Sequence, residues 1–430
     1  MLNQESLAAV AAARFGGSQD GAQPFVRPIY DGYGYARIPA TVERLLTGAG
    51  PAPLPAAALA GFLPRQETVI LLMIDGFGWR FFAPRLERYP FLRRFLEAGV
   101  VSQLTTMFPS TTAAHVTTLH TGLTPAASGV FEWFYYEPSL NRVIAPLLFS
   151  YAGDQTRETL AAAGVDPATI FPTSTLYQRL AEAGVASTVF QHSSYAGSSG
   201  TRMICDGATI VGYRTLPEAL TILTERLAAQ QGPAYYHLYV DSFDTICHFH
   251  SPDSPHADAE IDLILTALER FLHPALERLG RSALLLLTAD HGHITIDPRT
   301  AHFVNRLLPE LVAATPIGAD GRPLAPGGSS RDLFLYVHEE RLDAMQQALA
   351  QALEGRAEVH RTADLMAAGF FGPDPSPRLR ARVGNLVALP YAGETVWWDD
   401  RRFSVRFRGS HGGLTPEEAI TELAALPYGD

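Results

Sequence analysis

Hydroxyl groups crowd ahead of a helix in Thr105–Val130, which reads TTMFPSTTAAHVTTLHTGLTPAASGV. Ser110, Thr111 and Thr112 follow Pro109 and precede a helix-forming run. Thr121-Gly122 closes that run, and Pro125 prevents its resumption. A hydroxyl at a helix start sits among unpaired backbone N–H groups and at the positive end of the helix dipole, where a phosphate is well received. Thr112 is thus a candidate nucleophile. Ser110 or Thr111 acting as a plain N-cap is the commoner role for such residues, and this stretch alone favours it.

Four further clusters carry metal-ligand chemistry. They are Asp75-Gly76, the Asp244–His248 segment, Asp290-His291-Gly292-His293, and Gly409-Ser410-His411-Gly412-Gly413. Carboxylate oxygens and imidazole nitrogens without thiolate suit Zn²⁺ in a catalytic role, or Mn²⁺ or Fe. Asp244 and His248 are four residues apart, so on a helical turn they face one way and can share an ion. Each piece has a plainer reading: Asp75 as a helix cap, His411 as a loop residue, Cys247 as a small buried hydrophobe. His115, His120, His250 and His293 lie near the clusters without needing to ligate. Independent caps have no reason to collect at successive strand ends, however, and the joint pattern favours a metal site.

The elements that must position these groups are legible as continuous apolar runs. Glu67–Asp75, Ala186–Gln191, Ala234–Val240, Ala283–Thr288 and Asp332–Val337 read as strands buried on both faces. Helical patterns at Trp79–Ala98, Thr173–Ala183, Leu216–Ala229, Ala257–Leu279 and Glu340–Glu354 separate them. Alternation of this kind predicts an α/β fold, a doubly wound and mostly parallel sheet with helices on both faces. Ligands of such sheets bind beyond the carboxyl ends of the strands, where Asp75, Asp244 and Asp290 fall. Residues 1–66 read as an N-terminal extension packed on the core. Residues 67–430 read as one catalytic domain with a small inserted cap at about 355–405.

Bulk properties narrow the function classes. The chain has 430 residues, 47% hydrophobic and 18% charged, enough for a large core. A net charge of −11 without a Lys/Arg block argues against a nucleic-acid-binding face. An acidic protein still accepts an anionic substrate if metal ions supply local positive charge. The two cysteines, Cys205 and Cys247, are too few for a disulfide framework, though one bridge stays open. No signal peptide and no apolar run near ~20 residues is evident, so a cytoplasmic location without a membrane span is expected.

In order and spacing, these motifs resemble the alkaline phosphatase superfamily, in particular its nucleotide pyrophosphatase/phosphodiesterase branch. The shared series is an Asp after the first strand, Pro-x-x-Thr opening a helix that ends in Thr-Gly, Asp-x-x-x-His, Asp-His-Gly, and a late Gly-x-His-Gly. The resemblance implies Thr112 as nucleophile. It implies one zinc held by Asp75, Asp290, His291 and the Thr112 oxygen, and another held by Asp244, His248 and His411. It places Tyr239 in the lining of the substrate pocket. The chain departs from the family after Thr112, where it reads Ala-Ala-His-Val, and at Trp133, which with Glu132 beside it falls where relatives keep a phosphate-binding Asn. The backbone N–H groups near Thr112 and Ala113 are expected to bind phosphate oxygens. Aromatics at Trp133–Tyr136, Tyr239, Phe243 and Trp397-Trp398 offer stacking surface. The expected activity is hydrolysis of a small-molecule phosphodiester or pyrophosphate through a phospho-threonine. The alternatives are a phosphomonoesterase, a phosphonate hydrolase, or an inactive binding protein with this fold.

Overall fold

A computed structural model describes residues 1–16, 24–62, 65–400 and 406–429. Continuous apolar runs become strands covered on both sides. β1 (Thr68–Ile74), β2 (Val100–Thr105), β3 (Ala186–His192), β4 (Thr209–Tyr213), β5 (Ala234–Val240) and β6 (Ala283–Thr288) run in one direction. A smaller antiparallel sheet follows from β7 (Gly327–Ser329), β8 (Asp332–Leu335), β9 (Ala357–Arg361) and β10 (Leu386–Pro390). Finally β11 (Ile420–Tyr428) returns to the large sheet and runs against its neighbours β6 and β2. The seven-stranded order is β2-β11-β6-β1-β5-β3-β4, a mixed and mostly parallel α/β sheet.

Every residue of β1 is buried. Val69, Leu71 and Met73 enter one apolar cluster, and Ile70, Leu72 and Ile74 enter another on the opposite face. Each such side chain stabilises the fold by about 2 kcal/mol through area removed from water. This two-sided burial holds the carboxyl end of β1, and with it Asp75, in one place.

The structure corrects several sequence expectations. Asp332–Val337 was assigned to the parallel sheet, but its strand, β8, lies in the small antiparallel one. All four β8 residues are buried, so the apolar run reported two covered faces and not which sheet they belong to. The predicted helix Trp79–Ala98 is divided into Trp79–Phe82, a tight turn at Ala83–Arg85, and Pro90–Glu97, because Pro84 and Pro90 cannot continue a helix. The expected insertion at about 355–405 contains β9 and β10, which pair with a sheet that begins at Gly327; its residues 401–405 lie outside those described. Strands β2, β4 and β11 escaped the sequence pattern, since Ser102, Gln103, Glu422 and Pro427 interrupt their apolar runs. Near the N-terminus, Asn3 caps the helix Gln4–Ala12 and its amide N–H donates to Val101 O on the edge strand β2. Both cysteines are free and buried. Among the described residues, no helix is long and apolar enough to cross a membrane.

One buried ion pair ties the two sheets together. Arg331, just before β8, donates to Glu418, just before β11, at 3.0 and 2.9 Å, and neither side chain is exposed. Arg331 also donates to the carbonyls of Pro390 and Tyr391, while Glu418 accepts from Thr415 Oγ1 and from the Gly413 N–H. The loop carrying His411 is thereby braced on its C-terminal side. Removing one member of a fully buried pair strands the other charge. We expect Arg331→Met to destabilise the protein by about 3–5 kcal/mol, read from the midpoint of denaturant unfolding.

Candidate active site

The first cluster forms where β1 and β6 end side by side. Asp75 follows β1, and Asp290-His291 follow β6 after one intervening residue. Gly76 turns the chain with φ +72°, and a Cβ there would lie 2.9 Å from His293 Cδ2, so only glycine fits. The Gly76 and His291 N–H groups donate to Asp290 Oδ1 at 3.1 and 3.2 Å. His291 Nε2 lies 3.4 Å from both Asp75 Oδ1 and Asp290 Oδ2. Those two carboxylate oxygens are buried and lack a hydrogen-bond partner.

The second cluster comes from the helix Ser242–His250 after β5 and from the late glycine-flanked loop. Asp244 Oδ1 is 3.4 Å from His248 Nε2 and 3.6 Å from His411 Nε2. The remaining ring nitrogens are oriented by main chain: His248 Nδ1 sits 2.8 Å from Gly409 O, His411 Nδ1 2.9 Å from Ser110 O, and His291 Nδ1 3.0 Å from Gly292 O. Each ring therefore presents Nε2 to its cluster. The antiparallel pairing of Ile294–Thr295 with Gly409–Ser410 docks the His411 loop beside the His291 loop. The His291 and His411 rings stack with centroids 3.5 Å apart and link the two clusters.

Electrostatics follow from burial. Desolvation first, and then the Asp290 charge, push the Asp75 carboxyl well above its ordinary range; desolvation raises Asp290 to about 6. Burial holds His291, His293 and His411 neutral, leaving ring lone pairs free for a cation. Carboxylates with orphaned oxygens facing neutral imidazoles are matched by a divalent cation. The ligand atoms of Asp75, Asp290 and His291 lie within 4.8 Å of one another, as do those of Asp244, His291, His293 and His411. These residues fit a metal centre.

Thr112 opens the helix Thr112–Thr121, and its Oγ1 is 3.2 Å from His291 Nε2. The capping alternative fails here. Thr111 occupies the N-cap position without a side-chain capping bond, and its hydroxyl donates instead to Phe131 O at 3.2 Å. Ser110 Oγ pairs with Thr106 Oγ1 at 2.7 Å. Among the described residues, no side chain caps the helix start, and Ala113 is its second residue.

Two expectations change. Tyr239 is not among the described residues lining the cavity beside Thr112; its hydroxyl donates to Asp75 Oδ2 and holds that carboxylate in place. His293, set aside as a neighbour, is fully buried with Nε2 2.6 Å from Asp244 Oδ1. Its signal was the second His of Asp-His-Gly-His, which the spacing of the other ligands did not require. The cavity holds about 450 Å³ and is bounded by Thr112, His248 and His411 on one side and by Trp133, Phe134 and Trp397 on another. Phe249 and Phe407 also line it and had no sequence signal, whereas Tyr135 and Phe243 are core residues.

Asp/His clusters at strand ends beside a helix-start hydroxyl, open to such a cavity, are the construction of a hydrolase acting on phosphoric esters. The match of a family model over residues 69–414 makes the class specific: the chain belongs to the type I phosphodiesterase/nucleotide pyrophosphatase family. Its fold is similar to that of murine ectonucleotide pyrophosphatase/phosphodiesterase 5, in an inactive variant complexed with AMP, with TM-score 0.63 and 18% identity over 85% of this chain and 88% of that one. It is also similar to the phosphonoacetate hydrolase of Sinorhizobium meliloti 1021 in complex with phosphonoacetate, with TM-score 0.60 and 17% identity over 84% and 90%. No curated protein sequence matches the chain. Because Tyr239 holds Asp75 by one hydrogen bond, Tyr239→Phe should weaken divalent-metal binding about 10–100-fold, measured by titrating metal-free protein.

Proposed function

We propose that this hydrolase cleaves phosphodiester or pyrophosphate bonds through a covalent phospho-Thr112 intermediate. Two divalent ions, zinc by the chemistry of the donors, would be held by Asp75, Asp290, His291 and Thr112 and by Asp244, His248 and His411. The observation that carries this reading is the position of the Thr112 hydroxyl, 3.2 Å from His291 Nε2 at an uncapped helix start. Ions bound there would lower the pKa of the Thr112 hydroxyl and of water and would neutralise charge on the leaving oxygen. Thr112 Oγ1 attacks phosphorus, the bond to the departing alcohol breaks, and a phosphoester to Thr112 forms. Water then attacks from the vacated side, releasing the phosphorylated product and restoring the hydroxyl. The N–H groups of Thr112 and Ala113 hold non-bridging oxygens, in a direction the helix dipole favours. His293 keeps Asp244 aimed, and Tyr239 keeps Asp75 aimed.

The cavity supports a diester over a monoester. A monoester dianion calls for added cationic side chains, and none of the described lining residues is Lys or Arg. A diester brings a second substituent, for which Trp133, Phe134 and Trp397 offer surface. Likeness to the phosphonoacetate hydrolase supports a second reading, hydrolysis of a phosphonate. Zinc-loaded protein assayed against aryl diesters, nucleotide diesters, monoesters and phosphonoacetate separates these, with the diesters expected to turn over fastest. Thr112→Ala should lose ~10³-fold or more in kcat while keeping its metal, and wild type acid-quenched during diester turnover should yield a Thr112 peptide carrying the phosphate with its retained alcohol substituent. Turnover near wild type in Thr112→Ala would overturn the nucleophile.

A further inference from the structure

Beside the aromatic wall of the cavity lie two carboxyls that neither cluster uses, one of them, Glu132, among the lining residues. Glu132 sits in the loop between Val130 and the short strand Tyr135–Glu137, and Asp332 opens β8; both are fully buried. They lie within hydrogen-bonding reach of each other. Glu132 Oε2 accepts from the Trp133 N–H, and Asp332 Oδ1 accepts from Ser329 N–H and Oγ at 3.0 and 2.5 Å. The other oxygens, Glu132 Oε1 and Asp332 Oδ2, have no partner. No cationic side chain contacts the pair among the described residues: Arg331 turns away to Glu418, and His411 points Nε2 at Asp244. Two adjacent buried carboxylates without a cation cannot both be charged.

We propose that Glu132 and Asp332 hold one proton in common, and that this carboxyl–carboxylate bond is the positioning contact that fixes the Trp133 wall of the substrate pocket. The proposal rests on that cavity being the substrate pocket of the function given above. Burial acts in the same direction, raising Glu132 to about 8 and Asp332 well above its ordinary range. The pair joins two pieces of the site. The Glu132 loop is tied to the nucleophile by Thr111 Oγ1 donating to Phe131 O, and the Gly328 N–H reaches across to Phe134 O at 2.7 Å. Asp332 is tied to the second metal cluster, because Ser329 Oγ lies 3.0 Å from His411 O. A Cβ on Gly412 would come within 2.6 Å of both Asp332 Oδ1 and Ser329 Oγ. Trp133, 37% exposed, extends from this clasp into the cavity.

An amide reproduces a shared proton, since its N–H donates to the remaining carboxylate. Glu132→Gln and Asp332→Asn should therefore keep KM for an aryl diester within about threefold, whereas Glu132→Ala should raise KM about tenfold with little change in kcat. In protein labelled with fluorotryptophan, the Trp133 fluorine line, assigned by its loss in Trp133→Phe, should stay sharp in both amide variants and broaden or shift in Glu132→Ala. An infrared difference between wild type and Glu132→Gln should show one neutral-carboxyl band in wild type only; this needs no Glu132→Ala protein. An absent band, an amide variant that behaves like Glu132→Ala, or an unchanged Trp133 line in Glu132→Ala would each overturn the proposal. So would loss of a bound metal ion in either amide variant, which would make the pair a cation site. The fluorine and infrared readouts do not depend on turnover, so inactivity toward every diester would reject the proposed function and leave the clasp to be judged on them.

Discussion

Everything in this active site answers to one constraint: Asp75 and Asp290 are held side by side and buried. Two apolar clusters, one on each face of the sheet, clamp β1 and β6 so that their ends cannot splay and relieve the repulsion. The backbone softens the conflict locally, with two N–H groups aimed at Asp290 and the Tyr239 hydroxyl at Asp75. What it leaves is an excess of acceptor oxygens facing neutral imidazoles, an environment whose missing component is positive charge. The scaffold thus holds a strained arrangement that the hydrophobic core, and not the site itself, stabilises.

The Arg331–Glu418 pair extends that logic to the loops. His411 arrives from a distant part of the chain on a glycine-flanked segment with no regular structure of its own. Its accuracy depends on anchors at both sides: Glu418 after the loop, and the short ladder Ile294–Thr295 with Gly409–Ser410 before it. Buried charge pairs contribute little net stability compared with apolar packing, but they penalise every misplacement of either partner. For a histidine whose Nε2 must face Asp244, that penalty is the useful quantity.

Much of this was legible in the sequence, and the reasons are physical. Strands β1, β3, β5 and β6 are covered on both faces, so their apolar runs are unbroken and their ends locate Asp75, Asp244 and Asp290. Thr112 and His411 were legible from the proline, glycine and hydroxyl punctuation around them. Illegible were features that exist only through contacts made in space. β11 carries Glu422 and Pro427 and reads as no strand; β8 has the right pattern but the wrong partner. Tyr239 looked like pocket lining because its position, and not its hydroxyl's target, is what a linear motif records. His293 was visible as a histidine, but its bond to Asp244 was not.

The place of β11 in the large sheet carries a consequence for how the molecule is made. The strand latest in the chain lies between β2 and β6, which precede it by well over a hundred residues, and it runs opposite to both. Until Ile420–Tyr428 is in place, β2 and β6 each lack the strand that joins them and present an unpaired edge. Joining β2 to the rest of the large sheet is therefore a late event. A partly made chain of this architecture exposes unpaired strand edges, the feature that invites aggregation.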